Sequence, residues 1–167
     1  MPHELLSEGD PPFLMPESRT YVPKQGDITK SWHVIDANAQ ILGRIATVAA
    51  RLLQGKHRPT YTPYIDTGDH VIIVNAERIR LTGSKETRKL YRRHSGHPGG
   101  LREERAVTVR QQHPERLVET AIRGMLPKTT LGRQMLKRLK VYSNEEHPHK
   151  AQLSSGRTES SKNDLTV

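Results

Sequence analysis

The stretch His70-Val71-Ile72-Ile73-Val74-Asn75 decides the fold. It is a continuous apolar run of strand length, the pattern of a strand covered on both faces in a mainly parallel sheet. A parallel partner needs a crossover connection, and the residues upstream supply one. From Gly43 to Gln54, with Leu42 leading in, apolar side chains fall at Ile45, Ala46, Ala49, Leu52 and Leu53, the spacing of one helix face. Gly55 stands where a left-handed cap belongs. Further upstream, Trp32-His33-Val34-Ile35 reads as a short strand closed by the turn formers Asp36, Ala37 and Asn38. Strand, helix and second buried strand together predict a βαβ unit and an α/β domain.

Downstream, Ile79–Thr82 is expected to add a short strand before the Gly83-Ser84 turn, and Ala106–Val109 a further one. Pro114 opens a helix at its first position, where a missing amide hydrogen costs nothing. The apolar stripe of that helix is Leu117, Val118, Ala121, Ile122 and Met125, and Pro127 ends it. Thr129 or Thr130 caps a last helix carrying Met135, Leu136 and Leu139. Leu117, Val118, Ile122, Ile72 and Val74 are the expected core. Residues 1–29 hold Pro2, Pro11, Pro12, Pro16 and Pro23 among scattered acids, a composition that cannot offset chain entropy by burial. They are expected to form an extended or disordered arm, residues 30–150 the ordered domain, and residues 151–167 a polar tail.

At 167 residues, with 33% apolar and 27% charged, the chain has length for one domain with a modest core. Lys and Arg number 27 against 18 Asp and Glu, a net charge of +9. The excess is concentrated: residues 1–29 hold two basic and five acidic groups, whereas residues 30–150 hold 23 basic and 11 acidic. Within that middle segment Arg outnumbers Lys 15 to 8, and a guanidinium fork matches phosphate oxygens where an ammonium is only a point charge. A polyanionic partner is expected, nucleic acid ahead of a membrane surface. The absence of cysteine excludes disulfide frameworks, thiolate zinc sites and cysteine nucleophiles. No apolar run approaches the roughly 18 residues of a membrane helix, and residues 1–29 have neither the basic start of a secretory signal nor the acid-poor character of a transit peptide. A cytoplasmic protein is expected.

Three motifs point elsewhere and are weak. Ile65-Asp66-Thr67-Gly68 copies the string of aspartic proteases, but that chemistry needs two carboxylates sharing a proton, and the string has no second copy. Asp66 and Asp69 are better read as turn residues and partners of nearby arginines. The pairs His94/His97 and His147/His149 lack the fixed spacing of zinc modules and favour nucleic-acid contact or plain surface. Gly83-Ser84-Lys85 fails the full phosphate-loop pattern. More weight falls on Ser84–Arg105, where Lys85, Arg88, Lys89, Arg92, Arg93, Arg102 and Arg105 alternate with Gly96, Gly99 and Gly100. Glycines let the main chain approach a ligand, so this segment reads as a phosphate-binding loop, with Tyr91 either stacking on a base or filling a strand position. Lys56-His57-Arg58 complements the negative end of the preceding helix and exceeds what capping requires.

Several ordered strings resemble one family. Lys56-His57-Arg58 through Tyr61-Thr62-Pro63 to Asp66-Thr67-Gly68-Asp69, then His94-Ser95-Gly96-His97-Pro98-Gly99-Gly100, then Arg123-Gly124-Met125-Leu126-Pro127-Lys128 through Leu131-Gly132-Arg133, and finally Leu139-Lys140-Val141-Tyr142 are similar to the bacterial type of large-subunit ribosomal protein L thirteen. The resemblance covers about residues 30–152, and the arm before it is longer than the usual family start. It implies a three-layer α/β/α domain around a mainly parallel four-stranded sheet, embedded in large-subunit ribosomal RNA and acting early in subunit assembly. It leaves open contacts with neighbouring large-subunit proteins, L three and L twenty among them, and binding to the family's own mRNA. The expected mechanism is structural, with no enzyme activity, cofactor or metal: basic loops neutralise converging phosphates while a small core fixes the loops. Expected contacts are Lys56, His57, Arg58, Arg88, Arg92, Arg93, His94, His97, Lys128, Arg133, Lys137, Arg138 and Lys140. An RNA-modifying enzyme would need clustered carboxylates, a cofactor pocket or an activated nucleophile, and a DNA regulator a recognition helix.

Overall fold

A computed structural model describes residues 22–155. Strand β1 (Trp32–Asp36) leads through helix α1 (Leu42–Gln54) to strand β2 (His70–Val74), and β1 pairs β2 in parallel with Val34 opposite Ile72. The predicted βαβ unit is therefore present. Gly55 takes the left-handed conformation at φ 78° and its N–H closes α1 on Arg51 and Leu52 carbonyls.

The sheet has three strands in the order β1-β2-β5, where β5 is Leu139–Val141 and runs parallel to β2. The expectation of four strands is corrected for the described residues. Ala106–Val109 is not a strand: it opens helix α3 (Ala106–Gln112), because Ala106 and Val109, both buried, are one helical turn apart. Ile79–Thr82 contributes a single parallel bridge, Arg80 to Ile41, since the partner segment turns helical at Leu42 and the ladder cannot extend. Leu139 leaves the last helix: α5 (Thr130–Lys137) ends at Arg138, and the period-two alternation of Leu139, Lys140 and Val141 completes the sheet. Thr129, one of the two expected caps, accepts a hydrogen bond from the Gly132 N–H at 3.3 Å.

Alternation sorts the sheet into two faces. Ile35, Val71, Ile73, Leu139 and Val141 face a core shared with α1 and with α4 (Pro114–Met125). Leu117, Val118 and Ile122 of α4 and Ile72 of β2 are fully buried, with Val74 5% exposed, as expected of core positions. On the opposite face Trp32 stacks on His70 with ring centroids 4.2 Å apart, and on His149 at 5.4 Å. The chain after Tyr142 returns along this side to helix α6 (Lys150–Ser155), so the start of the expected polar tail is helical.

The expected basic loop at 84–105 is more ordered than a loop. After the single turn α2 (Lys85–Arg88), strands β3 (Leu90–His94) and β4 (Leu101–Arg105) form a separate antiparallel hairpin. Tyr91 fills a strand position against the core, with the Lys89 ammonium 5.1 Å from its ring centre. Of the expected arm, residues 1–21 lie outside the described residues, and residues 22–29 include one 3-10 turn at Gln25–Asp27. Residues 156–167 of the tail also lie outside them. Among the described residues no helix is long and apolar enough to cross a membrane.

Candidate nucleic-acid interface

The loop between α1 and β2 is held by two carboxylates, the buried Asp69 and the partly buried Asp66. Asp69, 1% exposed, accepts through Oδ1 from the Ser31 N–H at 3.0 Å and Arg58 Nη2 at 2.5 Å, while His33 and His57 each place Nε2 at 2.9 Å from Oδ2. Burial alone would raise the Asp69 carboxyl, but hydrogen bonds from His33 and Ser31 and the Arg58 charge outweigh it and hold the group below its ordinary value. Burial pushes His57 down, the Asp69 charge opposing, and the charges of Arg58 and His33 push the same way as burial. His33, His57 and Asp69 bring three ligand-type atoms within 4.8 Å of one another, yet both carboxylate oxygens are already engaged and a guanidinium adjoins them. The cluster is a hydrogen-bonded network around the Arg58–Asp69 ion pair that ties β1, the chain after α1 and the start of β2 together.

Asp66 plays the equivalent part for α5. It accepts from both terminal nitrogens of Arg138, at 2.5 Å to Nη2, and from Lys30 Nζ at 3.3 Å. Arg138 is 6% exposed, and its Nη2 also donates to the Leu53 carbonyl at 2.9 Å. Burial lowers the Arg138 guanidinium to about 10, which still leaves it charged at neutral pH. As expected, both aspartates partner arginines, Asp69 with Arg58 and Asp66 with Arg138, though they stand in irregular chain before β2 rather than in a turn.

The expected contact residues divide accordingly. Arg58 and Arg138 are turned inward on Asp69 and Asp66, and His57 rests on Asp69. Lys56, Arg88, Arg93, Lys128, Arg133, Lys137 and Lys140 are exposed and carry no ion pair among the described residues. Arg92 is exposed but bonded across the hairpin to Glu103 at 2.6 Å. His94 caps the hairpin turn by accepting from the Gly96 N–H at 2.9 Å, and His97 is exposed beside it. His149 donates to or accepts from the Tyr142 hydroxyl at 2.9 Å, so neither histidine pair assembles with a third ligand. Lys140 lies on the other face of the sheet, where its charge lowers His70 alongside burial and Lys30, the larger causes.

Three exposed cations stand outside the expected contact set, Arg102 and Arg105 within the segment already read as a phosphate-binding loop and Arg123 beyond it. Arg102 sits directly opposite Arg93 in the hairpin register, and Arg105 ends the same strand, both exposed. Arg123, at the last turn of α4, is exposed beside Lys128 and Arg133. The signal available was position: each flanks a buried apolar residue or an alternating strand, so each had to point outward.

Cross-strand arginines and unpaired lysines over a small, close-packed core define a polyanion-binding α/β domain. Like charges set opposite one another cost stability, and a bound polyanion removes that cost. The family described as Ribosomal protein L13 matches residues 30–148, and the chain belongs to it. It is 60% identical over 134 residues to the large ribosomal subunit protein uL13 of Saccharopolyspora erythraea, covering 80% of this chain and 90% of that one. It is similarly 56% identical over 135 residues to uL13 of Synechococcus elongatus (81% and 89% covered). Against uL13 of Geobacillus thermodenitrificans it is 54% identical over 133 residues (80% and 92% covered).

Proposed function

We propose that the chain is a structural component of the large ribosomal subunit in the cytoplasm, binding large-subunit ribosomal RNA and supporting early subunit assembly without catalysis. The observation that carries this reading is the set of exposed cations without an ion-pair partner among the described residues, while Arg58 and Arg138 are turned inward onto Asp69 and Asp66. Family membership supplies the ribosomal context. Residues 30–150 are the RNA-binding unit, flanked by the arm 1–29 and the tail 151–167. A three-layer α/β/α arrangement is favoured by α1 and α4 on one face of the sheet and the segment after Tyr142 on the other.

Lys56, Arg88, Arg93, His94, His97, Lys128, Arg133, Lys137 and Lys140 are the phosphate and backbone contacts, with Arg92 joining when Glu103 releases it. Arg58, His57 and Arg138 act as positioning residues that fix the loops these cations stand on. Neighbouring large-subunit proteins are further partners, with L three, L twenty and the chain's own mRNA the specific candidates. The test is a salt titration of the full chain on large-subunit RNA and on duplex DNA, with an assembly reaction lacking the chain. Tighter binding to the RNA and stalled assembly are expected. Equal affinity for duplex DNA at fixed salt overturns the reading.

A further inference from the structure

Between the end of α4 and the start of α5 lies a groove of about 540 Å³, within the roughly 300–1,000 Å³ typical of ligand pockets. Its floor is apolar, formed by Leu126, Pro127 and Leu136, with Leu126 only 5% exposed. Two glycines shape it. A Cβ on Gly132 would collide with the Pro127 carbonyl oxygen, so α5 can approach the floor only as glycine allows, while a Cβ on Gly124 meets nothing within 4 Å.

The rim carries Arg123, Lys128 and Arg133, all exposed and none ion-paired among the described residues. Among the described residues no carboxylate lines the groove; Glu119, one turn before Arg123, lines an adjoining depression and forms no ion pair with it. An apolar protein side chain seated here would leave the three rim cations without a counter-charge. The complementary ligand is flat and apolar at its centre and negatively charged on either side. A paired RNA helix stacks its bases and offers no such face, whereas an unpaired nucleotide does.

We propose that this groove takes one unstacked base of the bound RNA, its flanking phosphates held by Arg123, Lys128 and Arg133. The proposal rests on the ribosomal-RNA reading above. It assigns the α4–α5 groove a single-stranded element of that RNA.

The test is nucleotide-resolution chemical probing of a large-subunit RNA transcript bound by the full chain, by Gly124→Leu, and by Arg123→Ala/Lys128→Ala/Arg133→Ala. Gly124→Leu fills the groove while leaving every cation in place, and a thermal melt no lower than that of the unaltered chain shows that it folds. Protection of at least one unpaired nucleotide is expected, lost in Gly124→Leu with other protections kept and affinity lowered about tenfold, as for the loss of one base contact. The triple variant should lose the same protection and flatten the salt dependence. A Gly124→Leu footprint identical to that of the unaltered chain overturns the proposal, and does so equally if that variant fails only in joining assembled subunits, which would mean a protein occupant. No footprint from the unaltered chain would instead overturn the ribosomal-RNA reading itself.

Discussion

Arg138 and Asp66, 72 residues apart in sequence, meet in a two-pronged ion pair that joins the end of α5 to the loop before β2. The same guanidinium occupies the Leu53 carbonyl, so it serves three segments at once. Its charge is spent inside the protein, although the sequence presents it as one of a run of cations around α5.

Replacing it tests that role. Arg138→Ala leaves Asp66 with only Lys30 and the Leu53 carbonyl without this donor, so it should cost about 3 kcal/mol, the lower end for breaking a buried pair. Urea unfolding measures the loss. The salt dependence of RNA binding should be unchanged under conditions where the variant is folded, and a flattened slope in a fully stable variant would place Arg138 on the RNA instead.

Two glycine substitutions should act in opposite directions. A Cβ at Gly68 would overlap the Leu53 carbonyl and stand 2.9 Å from Arg138 Nη2, neither of which can move without loosening the network; Gly68→Ala should destabilise by about 1–3 kcal/mol. Gly124 lies inside α4 facing open space, so Gly124→Ala should stabilise by about 0.5–1 kcal/mol. Paired thermal melts show whether the signs differ.

Acid should weaken the fold in two stages. His57 and His70 titrate below their ordinary value of 6.5 when folded, so the unfolded chain takes up their protons first and stability falls as pH drops through that value. Asp69 is likewise held low, and its contribution is present above 3.8 and lost as pH falls through its depressed folded value. Denaturant midpoints at pH 7.5 and 5.5 should show the first stage, reduced in a His57→Gln/His70→Gln variant. A pH-independent midpoint across that window would contradict the lowered titration of these partly buried rings.

Arg93 and Arg102 face each other across the hairpin. Replacing both with alanine should lower the salt dependence of RNA binding by about two units if each touches a phosphate. Hairpin stability should hold or rise by about 0.2–1 kcal/mol, because the like-charge pair is relieved. A lowered melting temperature would show the arginines packing rather than binding.

The central βαβ unit and the core of α4 were legible because their periods are long and uninterrupted: Ile45 to Leu53 repeats as a helix, and Val71 to Val74 leaves no polar face. The hairpin was hidden because charge covers its strands on nearly every residue, leaving Tyr91 and Glu104 as the partly buried positions. Ala106–Val109 is short enough to satisfy both periods, and its spatial neighbours chose the helix. Among site residues, Asp66 and Asp69 could be matched to arginines in kind, but not to Arg138 and Arg58 in particular. Cation counting treats an inward and an outward guanidinium alike, which is why Arg138, turned onto Asp66, stood beside the exposed Lys137 in the expected contact set.

The place of β5 in the sheet governs how the chain is born. β1 and β2 are made early, yet the second edge of β2 is covered only when Leu139–Val141 has emerged, together with the Arg138 clasp on Asp66. A chain terminated before that point carries an open parallel edge of Val71, Ile72 and Ile73, a template for joining other unfinished copies. A product read through Val141 can therefore close this edge, whereas one that stops short of it leaves β2 paired on the β1 side alone.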